Sequence, residues 1–261
     1  MPKHHRYIKT GVCIWCGKKE PDVSFYTKPH IVPQSLGGDE IGVDVCDGCN
    51  RYFGTATKDN RPNPDFIIKE IFKAYEQFTR DPDEHTWEKL NSKMFEYRHS
   101  KGVIRIKHQY CTLPMTKQFK RGLYEMFLQK YHSVTGNANH PMFNLVRHYA
   151  RYGVGNLRVF YTFRHIILWP EEKYLFKMLM TEHTISEMFH TGLFRMDLCG
   201  QVFYLEIFPT VFEVHGYQYL QNEAQHSLLV RPDEGDCIKE VRSIDDIDYF
   251  MQRFHANPNN K

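Results

Sequence analysis

The chain has 261 residues, a hydrophobic share of 41%, aromatics at 15% and a formal net charge of +3. That length suits one large domain, or a small module followed by a larger one, with enough apolar residues for a sizeable core. The charge permits an anionic partner without demanding one, and no apolar run approaches the ~20 residues of a membrane helix, so no membrane role is expected.

In chain order, the start "MPKHHRYIKTG" is polar and basic, unlike a secretory signal. The next segment is rich in Cys, Gly and Pro. It holds Cys13-Ile-Trp-Cys16 and Cys46-Asp-Gly-Cys49, two Cys-x-x-Cys pairs on tight turns. Four soft ligands at this spacing predict a closed tetrahedral zinc site that folds the segment and leaves no open position for chemistry. A redox Cys-x-x-Cys would not need the second pair. The seven cysteines then fit a reducing compartment, and a cytoplasmic location is expected.

Between the pairs lies "KPHIVPQSLGG". Ile31 and Val32 predict a strand that Pro33 ends, and Gly37-Gly38 opens a loop. Asn50 follows the last cysteine where a helix is expected, so zinc would hold strand and helix together with His30 and Asn50 on one face. Taken alone, His30 also reads as a structural histidine and Asn50 as a helix cap.

The breaker "RPNPD" (Arg61 to Asp65) comes next. Asp65 is expected to cap a helix carrying Ile67, Ile68, Ile71, Phe72, Tyr75 and Phe78 at helical spacing. A second helix is expected from Trp87 to Tyr97, then a strand over Val103 to Leu113. Helices follow at Thr116 to Ser133 and Pro141 to Tyr152. "GVGN" precedes a strand, "LRVFYTF"; a mixed helical stretch covers Glu171 to His190. "LFRMDLCGQVFYLEIF" predicts a hairpin turning at Cys199-Gly200, and Ser243 with Asp246 predicts a capped last helix. Lys117, Lys120, Arg121 and Lys130, then Arg147, Arg151, Arg158 and Arg164, alternate with aromatics. That pattern suits phosphate contact and base stacking as well as an ordinary solvated face.

With Cys13, Cys16, "HIVPQSLGG" and "VCDGCN" in that order, the first sixty residues resemble the HNH endonucleases of the ββα-metal fold with a four-cysteine zinc site. They are similar also to the HNH segment of RNA-guided nucleases. The resemblance implies a metal-dependent endonuclease that nicks or cuts DNA. His30 would be the general base, and Asn50 would hold a Mg²⁺ or Mn²⁺ ion. The family's usual ligand just before the base is replaced by Pro29. Asp59 is the nearest substitute, with Asp44 and Asp47 as further carboxylates near the knuckle. Lys58, Arg51, Arg147 and Arg151 are candidate nucleic-acid contacts.

The expected fold is α+β. A zinc-stapled ββα-metal module spans 1–62, and a larger α+β domain of unassigned role, for nucleic-acid or partner binding, spans 63–261. The setting most consistent with such a nuclease is antiphage defence, with a regulatory or targeting protein partner. Two other readings stay open: an inactive zinc-dependent DNA-binding or scaffold protein, and an RNA-cleaving nuclease.

Overall fold

The computed structural model describes residues 8–55, 62–80, 89–98, 100, 103–163, 178–198, 201–226 and 238–247. Its helices are α1 (Asp47–Gly54), α2 (Pro64–Arg80), α3 (Leu113–Thr135), α4 (Asn144–Tyr152), α5 (Glu182–Thr191) and α6 (Tyr217–His226). Its strands are β1 (Phe95–Arg98), β2 (Val103–Ile106), β3 (Val159–Phe163), β4 (Leu193–Leu198), β5 (Gln201–Glu206) and β6 (Lys239–Glu240). The class is α+β, as the sequence predicts.

The axis of the molecule is α3. The Thr112 side chain accepts from the Met115 N–H at its start, Pro114 sits in its first turn, and Gly136 at φ 69° closes it in the left-handed conformation that glycine adopts without strain. Every residue from Gln118 to Ser133 is buried. A helix apolar or polar all round becomes buried only when other layers cover each face. Here α2 and α4 pack beside it, and the sheet β4-β5-β3-β6, antiparallel throughout, covers another face.

β5 is buried along its whole length because its alternating residues serve two layers. Phe203 meets Phe72 of α2 and Phe119 of α3 at 6.0 and 5.8 Å between ring centroids. Val202 and Tyr204, on the opposite face, pack with Phe160, Phe212 and Leu220. The Tyr124 hydroxyl lies 2.6 and 3.0 Å from the Arg158 and Glu206 carbonyls, tying α3 to the sheet edge.

Four elements depart from expectation. The expected Ile31–Val32 strand is reduced to an isolated bridge between His30 and Ile41. The Trp87–Tyr97 helix does not form over its described part. Ser92 Oγ accepts from the Met94 and Phe95 N–H groups, and Glu70 Oε2 of α2 accepts from Lys93 and Met94, so capture of these donors replaces a helical ladder. Phe95–Arg98 then pairs antiparallel with Val103–Ile106. The second strand stops at Ile106, where a 3₁₀ turn over His108–Tyr110 begins. The cap of α2 is Asn63, whose Oδ1 accepts from the Phe66 N–H at 2.7 Å, while Asp65 lies inside the first turn.

Other expectations hold with small shifts. Pro141–Phe143 is a 3₁₀ turn feeding α4. The 193–206 hairpin forms, although its expected Cys199-Gly200 turn lies outside the described residues, as does the start of the 171–190 stretch. Asp246 Oδ2 accepts from the Arg242 and Ser243 N–H groups, as the expected cap requires.

One apolar cluster runs from Cys13, Trp15 and Phe53 through α2 and α3 to Ile247. It therefore crosses the expected boundary at residue 62. Among the described residues no helix is long and apolar enough to cross a membrane.

Candidate active site and metal centre

Short backbone elements hang on the two cysteine turns. Cys13 N–H donates to the Lys18 carbonyl, and Gly17 N–H to the Cys13 carbonyl with Gly17 at φ 70°. Cys46 immediately precedes α1, and its N–H donates to Cys13 Sγ at 3.4 Å. The ligand sulfurs of Cys13, Cys16, Cys46 and Cys49 all lie within 4.8 Å of one another. The Cys16–Cys46 separation is 3.8 Å. A tetrahedron with Zn–S of about 2.3 Å has S···S edges of about 3.8 Å, so the set fits a zinc ion.

The Cys13 thiol is pulled down to about 4 by its hydrogen bond with Cys49, helped by backbone donors at Cys46, Cys16 and Trp15 and opposed by burial. Cys49 is pushed up by the same hydrogen bond and by burial, with Arg151 acting against both. Cys46 is raised as well, by burial first, so a metal that binds the deprotonated form would displace protons from these thiols on binding.

His30 sits on a hairpin beyond the first knuckle. It bridges Ile41 antiparallel, with Ile31 N–H donating to Glu40 and Gly42 N–H to Pro29. Alternation puts His30 and Ile41 on one face and Pro29 and Gly42 on the other. The second face lies on α3: a Cβ at Gly42 would stand 2.2 Å from Gln129 Oε1 and 3.6 Å from Pro29 Cγ. Pro29 is buried there and His30 is half-buried.

Asn50 is the fourth residue of α1, and its N–H already donates to the Cys46 carbonyl. It is therefore not the helix cap; Cys46 holds that position without a side-chain bond. Among the described residues, the His30 and Asn50 side chains make no hydrogen bond.

The two nearby carboxylates are committed elsewhere. Asp44 accepts from Thr10 N–H (2.5 Å), Thr10 Oγ1 (2.8 Å) and Gly11 N–H (3.0 Å), and pairs with His132 Nε2 (2.8 Å). Asp47 accepts from Ser24 Oγ (2.5 Å), Tyr26 N–H (3.2 Å) and both donors of Thr27 (2.7 Å each). Those bonds, Ser24 first, hold the Asp47 carboxyl well below the usual range. Neither is free to hold a catalytic ion. Asp59 and Lys58 lie outside the described residues.

Arg51 is exposed on α1. Arg147 is not a phosphate ligand in waiting. Its guanidinium donates to the Ile14 carbonyl at 2.7 Å, to the Ala138 carbonyl at 2.6 Å and to Asn144 Oδ1, and so pins the first knuckle to α4. Arg151 stacks on the Tyr52 ring at 3.4 Å. Lys117 is exposed, its ammonium 6.0 Å from the Tyr149 ring centroid, whereas three other basic residues of the larger part are engaged. Lys130 pairs with Glu40 at 2.6 Å, Arg121 donates to the Ala150 and Arg151 carbonyls, and Arg158 pairs with Glu206 and Glu213. Burial pushes Lys120 down, with Glu240, Asp246 and Glu206 opposing. Arg164 lies outside the described residues.

Sequence reasoning missed Glu125 and Gln129 beneath the hairpin. Gln129 Nε2 donates to Glu125 Oε1 at 3.0 Å, and burial raises the Glu125 carboxyl well above its usual range. Their polar character in an otherwise apolar stretch of α3 was the available signal.

Residues 13–63 match the model of a family described as HNH endonuclease. This segment is of the HNH kind; the match does not extend to the rest of the chain. No match is found among curated proteins or among solved structures.

Proposed function

We propose that this chain is an endonuclease that hydrolyses DNA phosphodiester bonds at its HNH module, with His30 as general base. The observation that carries this is the His30 imidazole, without a hydrogen-bond partner among the described residues, on a hairpin anchored between the two knuckles, with the Asn50 amide likewise without one on the helix that the second knuckle starts.

In the reaction, neutral His30 accepts a proton from water as the water oxygen bonds to phosphorus. The bond from phosphorus to the 3′ oxygen breaks, and that oxygen leaves to be protonated by solvent. A Mg²⁺ or Mn²⁺ ion would be held by Asn50 Oδ1 and its own waters, and would supply charge stabilisation at the phosphate when bound. Few protein ligands are needed for such an ion, which accommodates Pro29. Zinc at the four cysteines holds the module in shape. The setting we propose is antiphage defence, where a nuclease needs restraint by a partner.

The test is cleavage of supercoiled plasmid with Mg²⁺, with Mn²⁺ and with EDTA, the parent beside His30→Ala. Loss of about 10²–10⁴-fold in rate is expected for the variant, with zinc content unchanged. Equal cleavage by both proteins removes His30 from the mechanism. A second reading is favoured by the engagement of Asp44 and Asp47: a zinc-dependent DNA-binding module without cleavage. It predicts binding that needs zinc but neither Mg²⁺ nor Mn²⁺, and no nicking under any condition.

A further inference from the structure

A cleft of about 640 Å³ opens on the module beside the His30 hairpin. Its lining includes Lys9, Lys19, Lys28, Tyr26, Glu20 and Ile41. Ile41 is the cross-strand partner of His30, so the cleft borders the strand pair that carries the general base.

Two features of this cleft call for an occupant. First, the three lysines are exposed and have no carboxylate partner among the described residues. Of the two acidic residues in the wall, Asp44 is turned to His132, Thr10 and Gly11, which leaves Glu20 alone against three ammonium groups. Second, Tyr26 is 86% exposed on a backbone that is held firmly in place. Its N–H and that of Thr27 donate to Asp47 in the first turn of α1, so the ring is kept in water by design of the loop. A large aromatic fixed in solvent above a cationic cleft matches the two elements that hold single strands: a stacking platform and a phosphate track.

We infer that this cleft binds single-stranded nucleic acid next to the scissile bond, with an unpaired base stacked on Tyr26 and phosphates at Lys9, Lys19 and Lys28. Its placement as a substrate subsite rests on reading the module as a nuclease; the binding itself does not. Tyr26 and His30 are four residues apart, so the chain keeps their Cα atoms within about 14 Å of each other. That reach covers a few nucleotides. A paired base offers no free face to Tyr26, so the site selects strands that are open at the point of cleavage.

The experiment is fluorescence anisotropy with labelled oligothymidylate, alone and annealed to oligoadenylate, using the full chain in a His30→Ala background. Tyr26→Ala should weaken single-strand binding by about 5- to 150-fold and leave duplex binding unchanged. Reversing Lys9, Lys19 and Lys28 to Glu should flatten the slope of log K against log salt by about 2 or more. Zinc content and the urea midpoint serve as controls for folding. Unchanged single-strand affinity in Tyr26→Ala, an equal loss on duplex, or no single-strand binding by the parent overturns the inference. Plasmid cleavage without the His30→Ala change reports separately. Tyr26-dependent binding with no His30-dependent cleavage sinks the nuclease reading and keeps the cleft. His30-dependent cleavage indifferent to Tyr26 keeps the nuclease reading and removes the cleft as its substrate subsite.

Discussion

Asp44 has a backbone φ of 56°, a left-handed conformation that asparagine and aspartate tolerate better than other side chains. Its carboxylate gathers the chain just before the first knuckle and His132 of α3. Burial alone would raise this carboxyl; the hydrogen bonds from His132, Thr10 and Gly11 outweigh it and leave it below its ordinary value of 3.8. A depressed folded value means the stabilisation is complete above about pH 4 and is lost as pH falls through that lower value. Asp44→Asn keeps the backbone preference and removes only the charge and one acceptor. It should cost about 1.5–3 kcal/mol at pH 7 and less near pH 3, read by urea unfolding at both. An equal cost at the two pH values would place the effect in the backbone. None of this was legible in the sequence, because the partners of Asp44 lie 34 and 88 positions away. The cysteines were legible because each pair carries its geometry locally. Arg147 misleads for the same reason as Asp44: a chain of letters does not separate a solvated arginine from one bonded to a carbonyl 133 residues earlier.

Helix α1 has eight residues and no side-chain N-cap bond, well short of the ~12–15 residues at which isolated helices become marginal in water. It is held instead by the ligand cysteines at its start and by Phe53 against Trp15, 4.8 Å between centroids. Zinc removal, or Cys46→Ser, should therefore unravel α1 and the His30 hairpin together. Amide hydrogen exchange over 47–54 should become fast while the core of α3 stays protected. Persistent slow exchange in α1 without zinc would show that packing suffices. Elements were legible where one strong local pattern stood alone, as in α3 or the 193–206 hairpin. They were misread where a side chain from another element captured the backbone, as Glu70 does at Lys93 and Met94. The long apolar and basic run of α3 announced a helix, but not that all its faces would be covered.

Across the whole molecule, the change of texture near residue 60 suggests a self-contained module, and the contacts argue for a grafted one. The first knuckle receives hydrogen bonds from Arg147 to Ile14 and from Asn139 to Val12. The hairpin is tied by Lys130 to Glu40, and α1 by Arg121 to Tyr52 at 3.0 Å. Beneath these, Ile14, Trp15 and Phe53 are buried in the same cluster as Ile68, Phe119 and Phe127. A chain of some sixty residues buries only about 60% of its unfolded surface when it folds alone and depends on staples such as zinc. We therefore expect the excised 1–63 fragment to bind zinc through its four thiolates yet to hold it more weakly than the full chain. The apolar face that normally meets α2 and α3 should be open to water. Competition with a chromophoric chelator measures the first effect and dye binding to exposed apolar surface the second. The same zinc affinity and a sharp, equal urea midpoint in the fragment would show that the module folds by itself. If the fragment is the weaker one, the larger part of the chain is the foundation on which the His30 hairpin is held in place. Substitutions at buried positions of α3, far from any substrate, would then lower cleavage by loosening that hairpin.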